Sequence, residues 1–218
     1  MALFALACAL AAASPAKAGP PAPARTYGPS RLPPVEEAED PLVDAAPLVP
    51  GLIVRLAYAG PDNVTGRALY PPQARCRLRR SVAGRLTLAA RALSRLGFRL
   101  VAWDCTRPAA AQAALWAAHP RRGSVADPAR GSLHQRGVAI DLGLADAAGN
   151  LVALPTPFDA FGPRAAADAP LPDDSLARAH RDALGAALRD AGFRVNPREW
   201  WHFSRLYGWR WPLAREAP

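Results

Sequence analysis

Long apolar runs are missing from this 218-residue chain. Beyond its first residues no stretch could cross a bilayer as a helix, so stable membrane insertion is not expected. Missing too is any run of basic residues interleaved with aromatics. The formal charge of +9 is nearly all arginine scattered along the chain. Scattered arginine builds no groove for single-stranded nucleic acid, and no nucleic-acid partner is expected. A basic surface of this kind equally suits work beside anionic wall polymers or lipid head groups. There is no internal repeat. Cysteine is scarce. Cys8 lies in Ala5-Leu6-Ala7-Cys8, a poor lipobox unusually close to the start, so lipidation is the lesser reading. Cys76 and Cys105 either pair in an oxidising compartment or stay as two free thiols flanking a helix–strand unit. Spacing cannot decide between these, because the Cα separation does.

What is present is a globular composition, 50% apolar and 21% charged, in a chain long enough for one domain with appended segments. Ala2 to Ala13 form an apolar run too short to span a membrane. Ala16-Lys17-Ala18 follows, with small residues at the −3 and −1 positions of a cleavage site. Residues 1–18 thus read as a signal peptide, although a basic start is lacking, and imply a periplasmic or secreted protein. If the run is instead a buried helix, the protein is cytoplasmic. Residues 19–50 are rich in Pro, Ala and acidic side chains and read as a linker or wrapping arm without regular structure. Residues 51–218 remain as the domain.

Within that domain, Leu52 to Tyr58 predicts a strand, followed by turn chemistry at Gly60-Pro61-Asp62-Asn63. Ser81 to Leu96 predicts a helix, because Val82, Leu86, Ala89, Leu93 and Leu96 share one stripe and Gly97 is a ready stop. A strand over Phe98 to Trp103 and a short helix from Ala109 to Ala118, started by Pro108, come next. Val138 to Leu142 is an apolar strand interrupted by one carboxylate, Asp141. Asp173-Asp174-Ser175 supplies caps for a helix reaching about Ala191, closed by Gly192. Phe193 to Val195 is a short strand, and Glu199 to Trp209 carries an aromatic-rich end. Strands and helices mix without a strict βαβ rhythm. That pattern indicates an α+β class: a small, mainly antiparallel sheet with flanking helices.

Chemistry can be sought at His119, His134, His180 and His202. An acid inside an apolar strand, such as Asp141, must be paired, protonated or bound to a metal. Glu199 and His202 lie three apart in Glu199-Trp200-Trp201-His202, a spacing that faces one way on a helical turn. Hydrolytic zinc sites take three N/O ligands and keep one position for water. His134, Asp141 and His202 would supply two imidazoles and a carboxylate, with Glu199 as proton acceptor beside them. Each piece alone is weak, since most such residues are satisfied core or surface groups.

Order and context add to this. Ser132 to Asp141 matches Ser-x-His-x-x-Gly-x-Ala-x-Asp, and Glu199 to His202 matches Glu-x-Trp-His. Together they resemble the zinc peptidases that include D-alanyl-D-alanine carboxypeptidases, dipeptidases and the Hedgehog-like fold. The likeness is greatest to the VanX-type D-alanyl-D-alanine dipeptidases and runs from about Leu52 to Trp209. The resemblance implies one zinc per chain, held by His134, Asp141 and His202 in a cleft on the sheet, with Glu199 as general base. It implies that Arg107, in Trp103-Asp104-Cys105-Thr106-Arg107-Pro108, holds the scissile carbonyl oxygen. Asp159, in Phe158-Asp159-Ala160-Phe161, would meet the ammonium of a small dipeptide substrate, and Ser132 would hydrogen-bond it. His119 and His180 match neither motif and read as structural or surface residues. The chain departs from the family pattern at Thr106, where a tyrosine is usual, at Leu154-Pro155 and at Cys105. These changes touch the substrate pocket. They leave open a carboxypeptidase or endopeptidase acting on longer wall stems, or a zinc-holding wall-binding module without turnover.

Overall fold

The computed structural model describes residues 32–119 and 124–215. The signal-peptide reading, Cys8 and the first part of the arm lie outside the described residues. In chain order the elements are β1 (Leu42–Asp44), β2 (Ile53–Val54), β3 (Arg77–Arg79), α1 (Arg80–Ser94), β4 (Arg99–Asp104), α2 (Ala109–Ala118), β5 (Ala139–Ala145), α3 (Leu176–Asp190), β6 (Phe193–Asn196) and β7 (Glu199–Arg205). Five strands form the main sheet in the order β2-β4-β5-β7-β6. Only β2 and β4 run parallel; the other neighbours are antiparallel. This is the α+β, mainly antiparallel class that the alternating strand and helix patterns imply.

Helix α1 forms where its apolar stripe requires, with Val82, Leu86, Ala89 and Leu93 buried against the sheet. Helix α3 starts at Ser175, whose hydroxyl accepts the N–H of Arg178, a cap worth about 1 kcal/mol. Leu184 and Leu188 of α3 join the same core as Ile140, Leu142 and Leu144 of β5. Successive side chains of a strand alternate, so Asp141 and Gly143 look away from those residues. Gly143 is bare for a reason: a Cβ there would overlap the Trp103 indole, which lies across the strand. Helix α2 belongs to a second, smaller cluster with Tyr58, Tyr70 and Val125.

Three expectations need correction. The arm is not devoid of regular structure, because Leu42–Asp44 pairs antiparallel with Arg77–Arg79 as a second, two-stranded sheet. Buried polar contacts explain why so acidic a segment docks. The buried Asp40 carboxylate accepts the Ser81 N–H at 2.8 Å and the Trp211 Nε1–H at 2.8 Å. Arg79, fully buried, donates to the carbonyls of Asp40, Arg136 and Pro212 and to the Glu37 carboxylate. Asp40 thereby caps α1, which has no side-chain cap of its own. Second, the strand expected over Leu52 to Tyr58 stops at Val54, and a single 3-10 turn at Ala57–Ala59 buries Tyr58 instead. Third, Glu199 to His202 is extended, not helical: it opens β7.

The open question of the two thiols is answered. Cys76 and Cys105 form a disulfide with Cα atoms 5.2 Å apart, spanning 29 residues of sequence. Closing a loop of that size stabilises a fold by about 3.5 kcal/mol in the chain-entropy account.

Candidate active site

Two irregular strand pairings aim side chains into one cleft. Between β4 and β5, Ala102 pairs with Leu142 but Asp104 pairs with Asp141. Trp103 is therefore an extra residue, and its bulge brings Asp104 level with Asp141. Between β6 and β7, Val195 pairs with Phe203 and Asn196 with Glu199. Trp200, Trp201 and His202 thus have no partner on β6. This long bulge is how Glu199 and His202 come to the same side of a strand whose regular alternation would part them. On its other edge β7 stays in register, with His202 directly opposite Asp141. Asp104, Asp141 and His202 so form one row across three strands.

His134 reaches that row from a loop that ends at Gly137. Gly137 has φ of 69°, and a Cβ there would overlap Leu42 and crowd Thr106 Oγ1 at 3.2 Å. Only glycine tolerates both the left-handed turn and the contact. His134 Nδ1 donates to the Cys105 carbonyl at 2.8 Å, which leaves Nε2 free as a ligand atom. His134 Nε2, Asp141 Oδ1 and His202 Nδ1 stand 3.0, 3.1 and 3.4 Å apart. A tetrahedral ion with bonds of about 2.0–2.1 Å would separate its ligands by about 3.3 Å. The three donors therefore fit a small divalent cation, and two imidazoles with one carboxylate suit zinc. Burial works against the Asp141 carboxylate, but the imidazoles of His134 and His202 outweigh it and hold its pKa below the ordinary range. Burial also disfavours the His134 cation, yet Asp141 and Asp104 raise its pKa above the usual imidazole value. Metal loading must displace that proton, so affinity should rise with pH.

Glu199 stands beside the donors, with Oε2 3.9 Å from His202 Nδ1. Asn196 Nδ2 donates to Oε2 at 3.0 Å, whereas Oε1 is buried and has no hydrogen-bond partner among the described residues. Burial pushes the Glu199 carboxyl up to about 7. A buried acceptor left open and poised near neutrality is what a proton carrier requires.

Arg107 spends three N–H groups on its neighbours. Nε and a terminal nitrogen donate to Asp104 Oδ2 at 3.0 and 2.7 Å, and the other terminal nitrogen to Gln112 Oε1 at 2.8 Å. A guanidinium has five such donors, so two are left for the cleft. Ser132 Oγ accepts the Gln135 N–H at 3.1 Å and keeps its own hydrogen to give. Asp159 sits at φ 60°, a left-handed conformation that aspartate tolerates. Its two oxygens accept the Tyr58 hydroxyl at 3.1 Å and the Val64 N–H at 3.2 Å. Burial raises its pKa to about 7.

All seven residues singled out in the sequence line this one cleft: Arg107, Ser132, His134, Asp141, Asp159, Glu199 and His202. His119 stacks on Phe161 and His180 Nδ1 donates to the Ala153 carbonyl at 2.8 Å, so neither joins the candidate metal donors. What the sequence reading passed over is Asp104. Fully buried, it binds Arg107, the Tyr70 hydroxyl and its own following N–H, and lies 3.2 Å from His134 Nδ1. The clue was available: like Asp141, Asp104 is a carboxylate attached to an apolar strand. Tyr58 was passed over as well, because an aromatic in a presumed strand reads as core.

Three metal donors, an open buried carboxyl and a guanidinium on one cleft of an α+β sheet define a metallopeptidase. A family model described as D-ala-D-ala dipeptidase matches residues 38–208. The D-alanyl-D-alanine dipeptidase of Escherichia coli (strain K12) is 39% identical over 175 residues, covering 80% of this chain and 90% of that protein. The chain belongs to this D-Ala-D-Ala dipeptidase family of zinc peptidases, and its match begins inside the arm, consistent with the docking of β1.

Proposed function

We propose that this chain hydrolyses D-alanyl-D-alanine and related dipeptides, with one zinc ion held by His134, Asp141 and His202 and Glu199 as general base. Zinc in such a site polarises the peptide carbonyl and acidifies water. Glu199 Oε1, the unpartnered buried acceptor, takes the proton from the attacking water and returns it to the leaving amine. Arg107 turns its two spare N–H groups to the carbonyl oxygen as charge grows there, an interaction worth most where water is excluded. Asp104 and Gln112 keep the guanidinium from rotating away. Asp159 pairs with the substrate ammonium, its carboxylate held by Tyr58 and Val64, and Ser132 donates to the remaining backbone.

The observation that carries this reading is the single open carboxylate oxygen of Glu199 beside three converging donors. A closed structural zinc site would have no use for it. Size supports a small substrate: the cavity is about 200 Å³, below the roughly 300–1,000 Å³ of pockets for drug-sized ligands. The buried Asp159 favours a free amine over a longer stem peptide, because a blocked amine would leave the carboxylate unpaired. The Cys76–Cys105 bond supports a periplasmic or secreted location. No helix among the described residues is long and apolar enough to cross a membrane.

The deciding experiment is a peptide cleavage screen scored by released D-alanine, with and without a chelator. Cleavage of D-Ala-D-Ala that the chelator abolishes and N-acetylation of the substrate sharply lowers is the expected result. Equal rates on acetylated substrate would favour the carboxypeptidase reading. No turnover by zinc-loaded protein on any peptide would favour a binding module.

A further inference from the structure

We infer that the Cys76–Cys105 disulfide is a positioning element of the active site, setting both the His134 ring and the Arg107 guanidinium. The inference rests on the roles proposed above for those two residues. Strand β4 ends at Asp104, so Cys105, Thr106 and Arg107 leave the sheet without a ladder to hold them. Their fastening is to β3 instead. Thr106 donates from its backbone at 3.1 Å and from its hydroxyl at 2.6 Å, both to the Arg77 carbonyl. One residue earlier on each segment, the disulfide joins Cys76 to Cys105. Cys105 and Thr106, two departures from the family resemblance, thus do the same task.

The residue so fastened carries the site. The Cys105 carbonyl accepts the Nδ1–H of His134, and that bond decides which imidazole nitrogen faces the metal donors. The Cys105 N–H donates to Asp104 Oδ1, while Asp104 Oδ2 holds Arg107. The other end of β3 serves the same loop pair, since the Arg79 N–H donates to the Gly137 carbonyl where the His134 loop ends. The disulfide therefore ties the Arg107 loop to the strand that also holds the His134 loop. Both sulfurs are buried, Cys76 at 1% and Cys105 at 0% exposure, so the bond is part of the packing beneath the cleft.

The test compares the full chain with Cys76→Ala/Cys105→Val, which refills the buried volume without the covalent tie, and with Ser175→Ala, which weakens α3 far from the cleft. Zinc affinity is read by competition with a chromogenic chelator, kcat and KM on D-Ala-D-Ala, and Tm by circular dichroism. Outer-shell partners of metal ligands are worth about 10–100-fold in affinity or activity. The double variant should bind zinc about tenfold more weakly and lose about tenfold in kcat with KM nearly unchanged. Ser175→Ala should lower Tm alone. A double variant with native zinc affinity and kcat overturns the inference, whatever its Tm. One that does not fold makes the bond a fold-wide staple and overturns it equally. If the unaltered protein fails to cleave the dipeptide, the proposed function falls, while the zinc comparison still decides this inference.

Discussion

The cleft has two differently built walls. Asp141, His202 and Glu199 stand on strands β5 and β7, inside the central ladder of the sheet. Arg107, Ser132, His134 and Asp159 stand on connections between elements. Strand-borne groups are fixed by backbone pairing shared with the whole core. Loop-borne groups need dedicated fasteners, and each has one: Asp104 and Gln112 for Arg107, the Cys105 carbonyl for His134, Gln135 for Ser132, Tyr58 and Val64 for Asp159. The contrast teaches that two of the three candidate metal donors and the candidate base are anchored in the ladder, while the third donor, His134, and the candidate substrate contacts are anchored in a polar network laid over it.

Substitutions can break that contrast. The largest effect is expected on the strand wall, where two neighbours should fail in different ways. His202→Ala should lose zinc, whereas Glu199→Ala should keep zinc yet lose about 10³-fold or more in kcat, within the range for a positioned proton carrier. Metal analysis of both purified variants checks this. Equal zinc content would erase the division of labour. On the loop wall, Asp159→Asn should raise KM for D-Ala-D-Ala about tenfold or more by removing the charge that meets the ammonium, leaving N-acetylated substrate unaffected. The pH dependence sharpens the point. With its pKa raised to about 7, Asp159 is protonated below that value, so KM of the unaltered enzyme should climb as pH falls through 7. The variant should lack that limb.

The same shift has a stability signature. The folded protein holds a proton on Asp159 that the unfolded chain, with an ordinary carboxyl near 4, has already released. This contribution is fully present below about pH 4 and is lost as pH rises through about 7. Asp159→Asn should flatten that decline in Tm measured across the window. Smallest of all, Ser175→Ala should cost about 1 kcal/mol of stability in denaturant titration without touching zinc content or turnover. A change in either would mean that α3 is coupled to the cleft.

The difference between the walls also explains what the sequence could reveal. Helices α1 and α3 are legible from apolar stripes and caps, and the convergence of His134, Asp141 and His202 from two ordered motifs. The strand character of Glu199 to His202 was not, because the spacing of three that suits a helical turn is reproduced by a three-residue bulge. β1 was hidden in a proline- and acid-rich arm whose docking depends on Arg79 and Trp211, far away in the chain. Asp104 could have been read from its place at the end of an apolar strand. Its bonds to Tyr70 and Arg107 are tertiary facts that no local pattern carries.

The stretch of β7 without partners on β6 has an evolutionary corollary. Trp200 gives its Nε1–H to the Thr156 hydroxyl at 2.9 Å and Trp201 lines the cleft, so side chain as well as spacing ties these two positions to the site. Removing a single residue from this stretch would shift Glu199 against Asn196 or His202 against Asp141, breaking one of the two pairings that bracket the bulge. Drift at this corner of the molecule should therefore show almost no insertions or deletions and few replacements of the two tryptophans.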